Sequence, residues 1–388
     1  MPVSRRAKSV EGSSTLAITA RAKELKAQGC DVVNFAAGEP DFDTPDFIKK
    51  AAIEAIEKGF TKYTPSIGTL DLRKAIANKF QTDNNLSYDP ATQIVVSCGA
   101  KHSLYNLMQA LVEQGDEVLI PMPYWVSYPQ MVKLAGATPK FLETSAENEF
   151  KITSDQLEEN ISPNTKVLIL NSPSNPTGSV YSKQELEAIA AVCVKRNIFV
   201  VSDEIYEKIC YTDEPYTSLA SLNKDIFNLT VTVNGVSKAY SMTGWRIGFF
   251  GASKEIAQNV KKIQDHSTSN PSSISQMAAL AALKGPVNNL EDMKKEFVKR
   301  RDFILKCLDK IPEISYIYPK GAFYVFCNVS KLGEDSVSIA KEILDKTNVA
   351  CIPGQGFGAD QYIRLSFATS TERIEEGIRR ISEWVKTR

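Results

Sequence analysis

The chain has 388 residues, 43% of them hydrophobic and 24% charged, with 46 Lys plus Arg against 46 Asp plus Glu. That is ordinary globular composition, long enough for two packed domains without covalent staples. Zero net charge argues against nucleic acid as the main partner, because such binding rests on cationic side chains neutralising phosphates.

In chain order, Met1 to Leu16 carries basic residues with no apolar stretch after them, so no secretory signal is expected. Thr19 to Gln28 predicts an amphipathic helix stopped by Gly29. Asp31 to Phe35 reads as a short strand, followed by the turn-rich run Ala36-Ala37-Gly38-Glu39-Pro40-Asp41. A helix is predicted from Pro45 to Gly59. From Ile94 the pattern becomes βαβ. Strands are predicted at Ile94–Val96, Glu117–Ile120, Lys166–Leu170, Phe199–Val201, Val231–Val233 and Ile247–Phe250, with helices at Lys101–Val112 and Lys183–Lys195. Strands this apolar, separated by helices, imply a mainly parallel sheet covered on both faces. After Gly285-Pro286 a long charged helix (Leu290–Leu308) leads to Ala322–Cys327, a helix around Val337–Lys346, strands near Val349 and Ile363, and a closing helix from Thr371. The expected organisation is an N-terminal segment (1–45) packing with a small α+β domain (286–388), and a large α/β domain (46–285) between them.

Several chemistries lack material. Seven scattered cysteines form neither a disulfide framework nor a zinc pattern, and fit a reducing compartment. Two histidines, His102 and His266, offer little to a Ser–His–Asp mechanism or a multi-histidine metal site, so no metal is expected. No run approaches the ~18 apolar residues of a membrane span. A soluble, cytoplasmic protein that binds no membrane is the expectation.

The most informative segment is Val233 to Gly248 (VNGVSKAYSMTGWRIG). A lone lysine is ordinarily a solvated surface residue, but Lys238 is flanked by small and aromatic residues. A lysine whose pKa is lowered by burial and neighbouring cations forms a Schiff base with an aldehyde cofactor, and Arg246 supplies one such charge while gripping a phosphate. Asp203 follows an apolar strand, where an acid either caps the next helix or faces a ligand at the strand's carboxyl end. Pyridoxal chemistry needs a carboxylate beside the pyridine nitrogen, and Tyr206, three residues on, reaches the same side. Ser97 to Ser103 (SCGAKHS) lies between a strand and a helix, where small residues let backbone N–H groups approach a phosphate. Lys101 there is unfavourable against the helix dipole unless an anion is bound.

Ala37–Pro40, Thr61–Tyr63, Pro123–Trp125, Asn171–Gly178, Ser202–Tyr206, Ser237–Gly248 and Arg364–Ser366 together resemble, in order, the motifs of class I aminotransferases. The resemblance covers nearly the whole chain and is greatest to the bacterial aspartate/prephenate branch. It implies a fold-type I transferase dependent on pyridoxal 5'-phosphate, and a homodimer with shared active sites. It also implies roles. Lys238 would be the Schiff-base lysine, Asp203 the pyridinium partner, Tyr206 and Asn175 the groups around the ring oxygen, and Trp125 the stacked aromatic. Gly99, Ala100, Ser237 and Arg246 would form the phosphate cup, and Tyr63 would reach the neighbouring subunit's phosphate. Arg364 would fork onto the substrate α-carboxylate, with Asn175 and Gly38 beside it. Animal and enteric aspartate aminotransferases bind the distal carboxylate through an arginine that Gln264–Pro271 lacks. In the resembled branch Lys101 and Thr15 serve instead, so aspartate or glutamate, paired with oxaloacetate, 2-oxoglutarate or prephenate, are the expected small-molecule partners. Another pyridoxal reaction, a β-lyase or a ring-forming synthase, would use the same cofactor site. A pyridoxal-binding regulator would need a DNA-binding module, for which the segment before Ala36 is too short.

Overall fold

The structure is a computed structural model describing residues 3–12, 14–333 and 335–388, the side chains of 14–17 excepted. Among the described residues the larger sheet has seven strands. Their spatial order is Ile94–Ser97, Gly248–Gly251, Thr230–Gly235, Phe199–Asp203, Thr165–Asn171, Glu117–Pro121, Thr138–Leu142. Six share one direction and Gly248–Gly251 opposes its two neighbours. The carboxyl ends of the six therefore meet at one edge, the place where open α/β sheets bind ligands. Ser97, Asn171 and Asp203 end their strands there.

Local sequence sets the elements. Lys183–Arg196 opens with a Ser182/Glu185 capping box and closes at Asn197 in the left-handed region, φ 55°. The edge strand Thr138–Leu142 carries Pro139 and a mostly half-exposed pattern, so its sequence lacks a strand signature. The helix Leu70–Asn84 is equally indistinct, because it buries Arg73 and Lys79 along with Leu72, Ile76 and Phe80.

Beyond residue 285 a four-stranded antiparallel sheet orders Ile352–Pro353, Tyr362–Ser366, Tyr324–Asn328 and Ser315–Tyr316. The helices Asn288–Leu308, Ser336–Thr347 and Thr371–Val385 accompany it. The expected strand at 31–35 is only Val33–Asn34, paired in parallel with Val349–Ala350. Val33 and Phe35 share an apolar core with Phe297, Phe323 and Phe367, and Tyr206 and Ile209 enter it from the larger sheet. The N-terminal helix, Ser14–Ala27, starts earlier than its periodicity predicts and packs Ile18, Ala22 and Leu25 against Phe326 and Ile352.

Candidate active site

The strand Ile94–Ser97 turns through Cys98 and Gly99 into the helix Ala100–Leu111. Gly99 has φ 91°, and a Cβ there would strike the Arg246 guanidinium. The first N–H groups of this helix have no intrahelical acceptor and carry the positive end of its dipole. Arg246 is aimed beside them by backbone carbonyls: Nη1 donates to Thr243 O at 2.9 Å and Nη2 to Cys98 O at 3.4 Å. Gly248 pairs with Ser97 and Gly235, and a Cβ on it would collide with the Ala100 backbone. Ser237 is buried just past the strand Thr230–Gly235. A helix start, a guanidinium and a serine thus surround one concavity suited to a phosphate.

Lys238 follows Ser237, and its Nζ donates to Gly38 O at 2.5 Å. Burial pushes its amine down to about 8; the Glu39 carboxylate opposes that shift, and Arg364 and Arg246 add to it. Asp203 does not cap a helix. Its Oδ1 accepts from Ile205 N at 3.3 Å within a turn, and its Oδ2 accepts from the Tyr128 hydroxyl at 2.7 Å. Burial raises the Asp203 carboxyl to about 6 although both bonds favour its ionised form. Tyr206 lies in the same turn with its hydroxyl 2.9 Å from that of Tyr324. Trp125 meets Tyr128 edge to face at 5.3 Å, and Lys101 Nζ lies 4.8 Å from the Trp125 ring centre.

Arg364 is no surface residue. Its strand lies inside the small sheet and its exposure is 3%. Nη1 donates to Asn175 Oδ1 at 2.8 Å, Nη2 donates to Ala36 O at 3.1 Å, and the guanidinium carbon stands 4.3 Å from the Tyr324 ring centre. Nε is buried without a partner among the described residues. An unpartnered buried donor of this kind is costly unless a ligand completes it.

Gly38, Ala100, Lys101, Trp125, Asn175, Asp203, Tyr206, Ser237, Lys238, Arg246 and Arg364 all line one cavity of about 440 Å³. Gly99 does not line it but caps the start of the helix Ala100–Leu111, the cup helix, whose Ala100 and Lys101 do. Tyr63 does not line it and is 93% exposed. Thr15 lies outside the described residues. Tyr128, Tyr324 and Lys23 also line the cavity although no sequence motif contains them, and Glu39 and Asn171 line it from within two of the motifs, with no role expected of either. Only Tyr128 had a local signal, one helical turn beyond Trp125. Gln264, in the stretch lacking an arginine, is buried and structural: its Nε2 donates to Ser66 O at 2.6 Å and Val96 O at 2.8 Å. Among the described residues no group of three His, Cys, Asp or Glu side chains could hold a metal ion. No described helix is long and apolar enough to cross a membrane.

The family model for class I and II aminotransferases matches residues 30–381. The chain is 49% identical to an aspartate aminotransferase of Bacillus sp. (strain YM-2), covering 99% of both chains. It is 44% identical to an aspartate/prephenate aminotransferase of Nitrosomonas europaea, over 98% of this chain and 99% of the relative. Among solved structures, the aspartate aminotransferase of Rhizobium meliloti superposes with TM-score 0.95 at 38% identity, covering 100% of this chain and 99% of that one. The Thermus thermophilus aspartate aminotransferase with maleate gives 0.94 at 40% identity, over 99% of each. The chain therefore belongs to the class I and II aminotransferase family, and it is a pyridoxal-phosphate-dependent aminotransferase of the fold-type I architecture.

Proposed function

We propose that this aminotransferase is of the aspartate type. It would move an amino group between aspartate or glutamate and a 2-oxo acid such as oxaloacetate, 2-oxoglutarate or prephenate. The observation that carries the reading is the presence of two cations, Arg364 and Lys101, in the cavity that holds Lys238. The names of the relatives point the same way.

The residues suit the cofactor on this structure's own terms. Asp203 is a buried carboxyl raised to about 6, a condition that a facing cationic N–H would relieve. Arg246 and the cup helix offer phosphate donors, and Arg364 has a free Nε for a carboxylate. When bound, pyridoxal phosphate supplies an aldehyde that condenses with amines and a ring that takes up the electrons released at the substrate Cα.

The chain's residues do the rest. Lys238, depressed to about 8, reaches its neutral form near physiological pH, so that Nζ can hold the cofactor covalently and, once displaced, take the Cα proton and return it. Asp203 keeps the ring nitrogen protonated, and Tyr128 orients the carboxylate. Tyr206 and Asn175 would address the ring oxygen, and Trp125 would cover the ring face, all three lining the cavity. Arg364 fixes the α-carboxylate with Asn175 holding its plane. Two substrates pass in turn through one site, a ping-pong order.

The exposed Tyr63 supports a homodimer in which that ring meets the partner's phosphate. Outside residues 286–388, the buried members of the small-domain core are Val33, Phe35, Ile205, Tyr206 and Ile209 alone, which supports domain boundaries near 45 and 285 with a seam at the turn after Asp203. Seven free cysteines support a cytoplasmic setting. Steady-state rates over a panel of amino donors with oxaloacetate, 2-oxoglutarate and prephenate test the reading. Dicarboxylic donors should give the highest kcat/KM, and a preference for monocarboxylic donors would overturn it.

A further inference from the structure

The cavity holds more positive charge than these roles use. Lys23, Lys101, Lys238, Arg246 and Arg364 line it, against the carboxylates Glu39 and Asp203. Arg246 is assigned to the phosphate, Arg364 to the α-carboxylate, Asp203 to the ring nitrogen and Lys238 to the covalent bond. Lys101, Lys23 and Glu39 remain, and Glu39 is already held by the Thr243 hydroxyl at 2.6 Å. Two lysines against one glutamate leave a single positive charge, the complement of one further carboxylate.

Lys23 reaches the cavity from the N-terminal helix Ser14–Ala27. Thr19 and Lys23 stand one turn apart, on one face, and both line the cavity. The orientation of that helix is fixed by buried Ala22, with Ile18 and Leu25 packed in the same cluster as Phe326 and Ile352. Arg21 and Glu24 pair with each other at 3.2 Å, whereas Lys23 makes no ion pair among the described residues. Lys23 is an exposed residue on the wall of a cavity, where a low-dielectric surround focuses a positive charge's field on an entering anion.

We infer that Lys23 is a specificity-determining residue that, together with Lys101, binds the distal carboxylate of dicarboxylic amino and 2-oxo acids; this rests on the aspartate-type reading above. Lys23 comes from the helix Ser14–Ala27, which supplies none of the cofactor-holding groups, so it acts on substrate binding and leaves the proton transfer at Cα alone. Its exposure to solvent keeps the effect modest, about three- to tenfold at low salt.

The test uses the holoenzyme with Lys23→Gln, Lys101→Gln and, as a charge control, Lys26→Gln, an exposed lysine of the same helix that does not line the cavity. KM and kcat are measured for aspartate and for phenylalanine. The Kd of maleate, an unreactive dicarboxylate, is read from the visible absorbance of the holoenzyme at two ionic strengths. Lys23→Gln should raise the aspartate KM and the maleate Kd about three- to tenfold, with kcat and phenylalanine kinetics unchanged and a weaker salt dependence. Lys26→Gln should match the wild type. A dicarboxylate preference that survives Lys23→Gln intact, or that Lys26→Gln lowers equally, would overturn this inference alone. Wild-type indifference to the distal carboxylate would overturn the aspartate-type reading and this inference with it.

Discussion

The two ends of the cavity are built differently. At the phosphate end, the residues come from two short runs, Ser97–Ala100 and Ser237–Gly248, that flank neighbouring strands. Their positions are fixed by a backbone ladder in which Gly248 pairs with Ser97 on one side and Gly235 on the other. At the carboxylate end, the parts come from the N-terminal helix, the loop after Phe35, the cup helix and the small sheet. They are joined by side chain-to-backbone bonds such as Arg364 to Ala36. Ladder geometry tolerates little change in side-chain volume, whereas a wall assembled from long cationic side chains can be retuned one residue at a time. The first end should be common to every reaction of the site, and the second should set which substrate is taken.

Substitutions can break or sharpen that contrast. Lys238 belongs to both ends, through Ser237 and through Gly38 O, so Lys238→Ala should have the largest effect. Turnover should fall by at least about a thousandfold, and borohydride should trap no cofactor adduct. Asp203→Ala should keep the covalent cofactor and lose about 10²–10³-fold in kcat, because the ring nitrogen loses its counter-charge; an unchanged kcat would refute the assignment. Gly248→Ala drives a methyl group into the Ala100 backbone, so it should cost about 1–3 kcal/mol of stability and weaken cofactor affinity for every substrate alike. Thermal unfolding and cofactor titration check this. Lys101→Ala should lower kcat/KM for dicarboxylic donors about tenfold more than for monocarboxylic ones. Equal loss on both would move Lys101 from the carboxylate end to the phosphate end. The smallest effect is on pH. The amine of Lys238 must be neutral to attack an aldehyde and is depressed to about 8, so cofactor attachment to the stripped enzyme should quicken as pH rises and level off above about 8. Stopped-flow absorbance from pH 6.5 to about 9.5 would show it.

The same contrast explains what could be read in advance. Ser237–Gly248 and Ser202–Tyr206 are contiguous, so their small and aromatic flanks and their place after apolar strands are visible in the chain itself. Arg364 was named only through a family motif, and nothing local announced that Tyr324 would lie under its guanidinium. That placement depends on the register Phe326↔Arg364 between two strands of another sheet. Lys23 was overlooked for a related reason: on a helix with charged residues around much of its surface, no pattern distinguishes a cavity-facing lysine from its solvated neighbours. The helix Leu70–Asn84 escaped because buried Arg73 and Lys79 blur its apolar stripe. Arg73 is satisfied by carbonyls, Nε donating to Gly68 O at 3.2 Å.

The loop Ala36–Gly38 carries a consequence of its own. Ala36 offers its carbonyl to Arg364 and Gly38 offers its own to Lys238, with one residue between them. The spacing acts as a caliper between the anchor of the incoming molecule and the nucleophilic amine. Inserting or deleting a single residue here would misset both jaws at once, so length variation among descendants of this sequence should be absent from this stretch and tolerated in turns far from it.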